Sequence, residues 1–166
     1  MNQAPVKVSI IIPHHKGEAL LYKCIQSLHN TSYSNYEIIV VDNNSKDQSI
    51  LKSKKEFPGI KVLSLDQNLG YAGGCNKGAI EAQGELLLFL NNDTIHENNW
   101  IEPLVDMMDN YKDIGSIQPK IKNINNKDRF DYAGGSGGFL DIFCFPFTRG
   151  RIFNSIEVDL NQYDNQ

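Results

Sequence analysis

The sequence predicts an α/β fold with a mostly parallel sheet and helices on both faces. Three observations lead there. Short runs of branched apolar residues alternate with segments of helical periodicity along the first 121 residues. The strand-like runs are apolar throughout rather than alternating, as strands buried on both faces must be. The segments after three of them, Pro13-His14-His15-Lys16, Asp42-Asn43-Asn44-Ser45 and Asn91-Asn92-Asp93, are polar and would share one edge. Sheets of this kind bind their ligands beyond the carboxyl ends of the strands.

The elements follow in order. Val6 to Ile12 is a β-branched run ending at Pro13 and reads as a buried strand. Ala19 to His29 carries Leu20, Leu21, Cys24, Ile25 and Leu28 at helical spacing. Glu37 to Val41 is a second strand, stopped by the Asp42-Asn43-Asn44-Ser45 tetrad, whose side-chain oxygens suit turns and helix caps. A short helix over 47–56 follows, and Pro58-Gly59 turns into a third strand, Ile60 to Leu65. Gly70 to Gly74 opens a helix that reaches about Gln83. Glu85 to Leu90 is the fourth strand and the most apolar run of the chain. Asn91 to Thr94 is a polar loop, and Asn98 to Tyr111 is a helix with Trp100, Ile101, Leu104, Val105 and Met108 on one face. Ser116 to Ile121 reads as a fifth strand.

Beyond residue 122 the character changes. Asn123 to Asp128 reads as a surface loop, and Tyr132 to Gly138 is a flexible glycine-rich stretch. Phe139 to Phe147 is rich in phenylalanine, expected to pack a hairpin against the sheet, with an acceptor platform as the alternative. Residues 1–122 are therefore taken as a ligand-binding core and 123–166 as the incomplete start of a further region of the same domain.

Composition narrows the function. A chain of 166 residues fits one domain. The net charge of -4 and pI of about 5.5, with no basic stripe, argue against nucleic acid as partner. Cys24, Cys75 and Cys144 form neither a zinc pattern nor a disulfide framework and suit a reducing compartment. No leader is read before the first strand, and apolar runs fall far short of the ~20 residues that cross a bilayer. A cytoplasmic domain is expected. Attachment to the inner face of a membrane through segments outside this chain is left open.

Asp93 and Asp42 each end an apolar strand. A carboxylate there suits a hard cation, although either one alone is more often a turn residue. Asp47 and Ser45 read as caps. Asn68 to Gly78 is glycine-rich and opens a helix, which lets backbone amides approach a phosphate. It is neither a Walker loop nor the dinucleotide fingerprint, which would follow the first strand. His14 and His15 are adjacent, so on an extended segment they point opposite ways and form no paired metal site. One of them is expected near a phosphate or ribose. Arg149 and Arg151 read as surface charges, with a diphosphate contact as the alternative.

Together these blocks resemble family 2 glycosyltransferases of the GT-A fold, whose sheet is Rossmann-like. Val8-Ser-Ile-Ile-Ile-Pro is similar to the family's opening, and Ile39-Val-Val-Asp-Asn-Asn-Ser-Lys-Asp to its second block. Asn68-Leu-Gly-Tyr-Ala-Gly-Gly-Cys-Asn-Lys-Gly is similar to its Asn-x-Gly segment, and Leu88-Phe-Leu-Asn-Asn-Asp to its metal-binding strand end. The resemblance covers residues 6–121, and more loosely extends through Gly134 to Asp164 in a rhamnosyltransferase-like branch. It implies metal-assisted, inverting transfer of a hexosyl or deoxyhexosyl group to a hydroxyl acceptor, in polysaccharide or glycan synthesis. The implied partners are a UDP- or dTDP-sugar donor and a glycan or lipid-linked acceptor. The implied cofactor is Mg²⁺ or Mn²⁺ on Asp93. Pro13, His14, Asp42, Asn44, Asn68, Gly73, Asn76 and Asn92 are the implied nucleotide-sugar-binding residues. The family's metal motif is often Asp-x-Asp, whereas here Asn91 takes the first position and Asp93 alone is charged. The catalytic base is expected beyond residue 166, because Glu157, Asp159 and Asp164 do not match the family's base motif. The chain is thus expected to be a fragment, inactive alone. A nucleotide-sugar-binding module without catalysis and a nucleotidyltransferase are the alternatives.

Overall fold

The computed structural model describes residues 5–131, 136–140, 142–152 and 154–163. They form two compact units, which meet in sequence at Asn99 and Trp100. The first is built on β1 (Val8–His14), whose seven residues are all buried. Its isoleucines supply stiff, branched side chains that suit a pleated surface covered on both sides. β2 (Tyr36–Asp42) pairs with one side of β1 and β4 (Leu86–Phe89) with the other, while β3 (Lys61–Ser64) lies beyond β2. All three pairings are parallel and the order is β3-β2-β1-β4. Sequence order therefore reverses between β1 and β4, which makes the gap beyond their carboxyl ends a topological switch point.

β1 runs through Pro13 instead of stopping before it. The last β1–β4 pair is Ile11 with Phe89, and Leu90 N–H donates to Ile11 O. Pro13, two residues on, faces the same side, where β4 has already ended. Its missing N–H therefore removes no ladder bond.

Three helices join these strands: α1 (Glu18–His29), α2 (Ser49–Glu56) and α3 (Gly70–Glu81). α3 lies directly on the sheet. Gly78 makes that approach possible, because a Cβ there would stand 2.4 Å from Ile11 Cγ2 and 3.0 Å from Val41 Cγ2. Ile11, Ile39 and Val41 form a cluster on this face, with Leu63, Leu65, Ala79 and Ala82 against it. The alternate set, Ile10, Ile12, Ile38 and Val40, is equally buried, as is the Leu21, Cys24, Ile25, Leu28 stripe of α1. α1 also packs on α2, where His29 stacks on Phe57 at 4.9 Å. β4 departs from the expectation of strands covered on both faces. Leu87 and Phe89 are 45% and 47% exposed, because β4 is an edge strand of this sheet and α3 covers β1 and β2.

The second unit opens with α4 (Ile101–Asn110). Ile101 and Val105 are buried, Leu104 and Met108 half-buried, and Met107 exposed, so the expected face is present. The expected fifth strand at Ser116 to Ile121 does not form. The segment is largely exposed and joins no ladder, and Pro119 has no N–H to give one. The expected loop at Asn123 to Asp128 is instead the bend of a hairpin, β5 (Lys122–Asn123) with β6 (Asn126–Phe130). Asn123 Oδ1 closes it by accepting the N–H groups of Asn125 and Asn126, a use of asparagine that hides a hairpin inside a polar run. β7 (Gly138–Leu140) pairs with β8 (Pro146–Thr148), and β9 (Arg151–Ile152) with β10 (Ser155–Ile156). The phenylalanine hairpin is thus real, but Phe143, Phe145 and Phe147 are more than half exposed rather than packed away. This unit's core centres on Phe130, fully buried beneath Gly150 and 5.8 Å from the Tyr163 ring. Much of the glycine-rich stretch from Tyr132, and Asp164, lie outside the described residues.

Candidate functional site

The carboxyl edge of the first unit's sheet is assembled by buried side chains that point back into the protein. β1 and β2 end in register, His14 opposite Asp42. One step on, Asn43 N–H donates to His14 O at 2.7 Å. The Asn43 side chain is buried. Its Oδ1 accepts Leu69 N–H and its Nδ2 donates to Gly70 O, at 3.1 and 2.9 Å. The entry to α3 is therefore fixed to the end of β2. Gly74 makes the fit possible, since a Cβ there would lie 3.0 Å from both Asn43 Nδ2 and Pro13 Cβ. Sequence reasoning did not single out Asn43. The signal available was its place directly after a buried strand, where the backbone pleat sends neighbouring side chains to opposite sides.

His14 and His15 diverge as expected, His14 buried and His15 exposed. The His15 Nδ1–H donates to Asn43 O at 2.9 Å. The ring of His14 is engaged at both nitrogens: Nε2 lies 2.7 Å from Ser49 Oγ and Nδ1 2.8 Å from Asn92 Nδ2. Burial lowers its pKa, outweighing the opposing pull of Asp47 and Asp42. Ser49 Oγ in turn donates to Asp47 Oδ1. Asp47 also accepts Ser49 N–H and Gly17 N–H at 3.0 and 3.2 Å, which matches its reading as a cap. Its pKa is lowered chiefly by the Ser49 hydroxyl bond.

The loop after β4 is anchored on its other side by α1. Cys24 Sγ faces Asn91 O and Thr94 Oγ1. Ser27 Oγ meets His96 Nδ1 at 2.8 Å, and Asn98 Nδ2 donates to Asn30 O at 2.9 Å. His96 is half-buried, and burial lowers its pKa to about 4. Burial likewise raises the Cys24 thiol to about 11. These anchors were not legible, since each pairs residues about 70 positions apart.

Asp93 stands exposed at the crest of this loop. Among the described residues no three acidic, histidine or cysteine side chains gather as a metal cage. One exposed carboxylate that follows two asparagines, Asn91 and Asn92, is a donor set for a hard cation that takes its other ligands from water and a diphosphate. The residues therefore fit a cation that arrives with its nucleotide.

The β1–β2 register sets Pro13 and His14 beside Val41 and Asp42 at the strand ends, and a side-chain hydrogen bond brings Asn92 to His14. Asp42 Oδ1 accepts Ser45 N–H at 2.8 Å. Asn44 and Asn68 shape their own loops, Asn44 donating to Asp66 O and Asn68 accepting from Gly70 N–H. Gly73 sits in the first turn of α3, where a Cβ would strike Leu69. Asn76 is exposed about 200° around the helix from Gly74 and Gly78, on the face turned from the sheet. In the second unit, Arg149 stacks over the Phe139 and Tyr163 rings at 4.2 and 5.3 Å. Glu157 accepts from Gly150 N–H and the Tyr163 hydroxyl. Asp159, paired with Lys122 and Lys120, is held at about 2.

Comparison with known proteins places this arrangement. Residues 9–157 match the sequence profile of Glycosyl transferase family 2. An uncharacterized glycosyltransferase of Haemophilus influenzae is 29% identical over 126 residues, which cover 76% of this chain and 42% of that protein. The O-antigen biosynthesis protein RfbC of Myxococcus xanthus is 33% identical over 147 residues, covering 86% of this chain and 11% of its own length. Among solved structures, S. aureus TarS superposes with a TM-score of 0.64 at 25% identity, over 72% of this chain and 22% of TarS. A shorter TarS solved with UDP-GlcNAc shares the fold at 23% identity and a TM-score of 0.58, over 70% of this chain and 38% of its own. The chain spans less than half the length of each of these proteins.

Proposed function

The chain belongs to glycosyl transferase family 2, and from that premise we propose that its first unit binds a nucleotide diphosphate sugar across the ends of β1, β2 and β4. The single observation that carries this reading is the placement of Asp93. It is exposed on a loop pinned from both sides, beside the point where strand order reverses. A carboxylate fixed there, next to backbone that cannot shift, suits a ligand that brings both negative charge and its own counter-ion.

The donor is UDP- or dTDP-linked, and the transferred group is hexosyl or deoxyhexosyl. The backbone at Pro13 and the Asp42 carboxylate hold base and ribose. Asp42 keeps one oxygen on Ser45, and the other takes the ribose hydroxyl. Asn44, Asn68 and Gly73 shape the wall on the α3 side and Asn92 lines the β4 side, while Asn76, on the face of α3 turned from the sheet, is not part of this wall. His14, buried with both ring nitrogens engaged, acts through Asn92.

Mg²⁺ or Mn²⁺ on Asp93 would neutralise charge on the departing diphosphate. The acceptor hydroxyl, on a glycan or lipid-linked glycan, attacks the anomeric carbon as the bond to the diphosphate breaks, with inversion. We assign the hydroxyl proton to no base among the described residues: Glu157 and Asp159 are committed within the second unit. We assign 123–166 to the start of the acceptor side.

Calorimetric titration with UDP and dTDP, with and without Mn²⁺, tests this. Binding should strengthen with Mn²⁺, and Asp93→Ala should remove that gain while the far-UV spectrum stays unchanged, since the residue is an exposed loop position. An unchanged gain in the variant refutes the assignment.

A further inference from the structure

The buried imidazole of His14 sits in a chain of hydrogen bonds whose direction is set at both ends. At one end, Asn92 Nδ2 lies 2.8 Å from His14 Nδ1 and 3.3 Å from Lys16 O. A backbone carbonyl only accepts, so the Asn92 atom facing it is the amide nitrogen, and its second hydrogen goes to Nδ1. At the other end, a carboxylate only accepts, so the Ser49 hydroxyl proton goes to Asp47. Ser49 Oγ is then left to accept, and His14 Nε2 donates to it. The tautomer follows from the geometry: proton on Nε2, lone pair on Nδ1. The chain Asn92→His14→Ser49→Asp47 joins three segments far apart in sequence: the end of β1, the start of α2 and the loop after β4.

We propose that His14 is a positioning residue for the cation and diphosphate, a strut between the α2 entry and Asn92 that sets where the neighbouring Asp93 carboxylate stands. The inference rests on the reading of Asp93 given above. Three features support a strut. His14 is 1% exposed and Ser49 is fully buried, so water cannot substitute for a lost partner. The Asn92 amide uses both of its hydrogens on fixed acceptors, which leaves its side chain one orientation. Asp47 is itself anchored by the backbone of Gly17 and Ser49, so the far end does not give. Groups that orient a metal ligand from behind typically change metal affinity by about 10–100-fold when removed.

The test compares the full chain with His14→Phe, His14→Asn, Ser49→Ala and Asp93→Ala, each titrated with UDP with and without Mn²⁺. The readout is the ratio of the two affinities. Phe keeps an aromatic ring and loses both hydrogen bonds, so the ratio should fall about tenfold or more. Asn puts an amide oxygen where Nδ1 stood, and should keep the ratio within about threefold of wild type. Ser49→Ala removes the partner of Nε2 with little change in volume, and should fall between them. If Asp93→Ala removes the Mn²⁺ gain and His14→Phe and Ser49→Ala keep it, the strut is wrong and the metal site stands. If Asp93→Ala keeps the gain, the metal reading fails and the strut falls with it. A second measurement needs no variant: long-range ¹H–¹⁵N correlation on the wild-type imidazole should show the Nε2–H tautomer, and an Nδ1–H tautomer would overturn the relay.

Discussion

Replacing Gly78 with alanine probes the contact that brings α3, and the glycine-rich segment at its head, onto the strand ends. The added Cβ would lie 2.4 Å from Ile11 Cγ2 and 3.0 Å from Val41 Cγ2. Ordinary carbon contacts lie at about 3.5–4.0 Å, so helix and strand must separate by roughly 1 Å or a side chain must leave its rotamer. Neither is easy. Ile11 is fully buried in the central strand, paired to β2 and β4, and Val41 is buried beside it. Overpacking of this kind costs about 1–3 kcal/mol. Alanine recovers up to about 1 kcal/mol as the better helix former, so the net loss lies between about 0 and 3 kcal/mol, centred near 1.5 kcal/mol. For a domain of this size a loss near that centre lowers Tm by roughly 3–6 °C. Gly59→Ala is the control, because a Cβ there meets nothing within 4 Å, and it should fall within about 0.5 kcal/mol of wild type. Urea unfolding followed by circular dichroism measures both. A Gly78→Ala protein more stable than wild type would show that α3 does not sit this close to β1, and the positions assigned to Gly73 and Asn76 would lose their support.

Two further outcomes are expected. His96 is held neutral by burial, with its pKa lowered from 6.5 to about 4. The unfolded chain then binds the extra proton first, so stability is present above 6.5 and lost as pH falls from 6.5 toward 4. At about 1.4 kcal/mol per pKa unit the loss approaches roughly 3 kcal/mol. Urea midpoints from pH 7 to 4.5 should fall less steeply in His96→Gln, with a residual slope from His14, and equal slopes would refute the assignment. Among the thiols, Cys144 is exposed whereas Cys24 and Cys75 are buried, so a thiol reagent should label Cys144 at once and the other two only in denaturant. Rapid labelling of Cys24 in the native state would mean that α1 does not hold the loop after β4.

Much of the first unit was legible because its signals are local. The unbroken Ile10-Ile11-Ile12 run of β1 reads as a strand covered on both sides, and the polar tetrad after β2 as lying outside it. The order of the strands was not legible. Nothing in residues 86–89 says that they pair with β1 rather than with β3, yet that pairing brings Asn92 to His14. The second unit was read less well for a related reason. Its strands are two to five residues long, its hairpin at Asn123 is closed by a side chain, and Ser116 to Ile121 has strand-like composition but forms no strand. Apolar patterning specifies burial, and a segment that buries little carries little pattern. His14 shows the same limit at the site. Its residue type suggested a ligand contact, while its position in the last, buried turn of the pleat made it part of the support.

The supports around Asp93 share one property that bears on how a single carboxylate can serve. The groups that hold the loop are neutral: the Asn92 amide, the His14 ring, the Cys24 thiol, the Thr94 and Ser27 hydroxyls and the His96 ring. A loop held by ion pairs would place a cationic side chain near Asp93, and that cation would compete with a divalent ion for the same oxygens. A loop held by a second carboxylate would bind the ion without nucleotide and slow its departure with the product. Neutral struts avoid both. They restrict the loop, and on the proposed reading they leave the Asp93 charge for a cation already carrying diphosphate. On this reading Asn91, which replaces the acidic residue common in the family's metal motif, makes metal and nucleotide binding interdependent. Asn91→Asp should therefore raise affinity for Mn²⁺ alone more than affinity for Mn²⁺ in the presence of UDP, and an equal gain in both would show that the two bind independently.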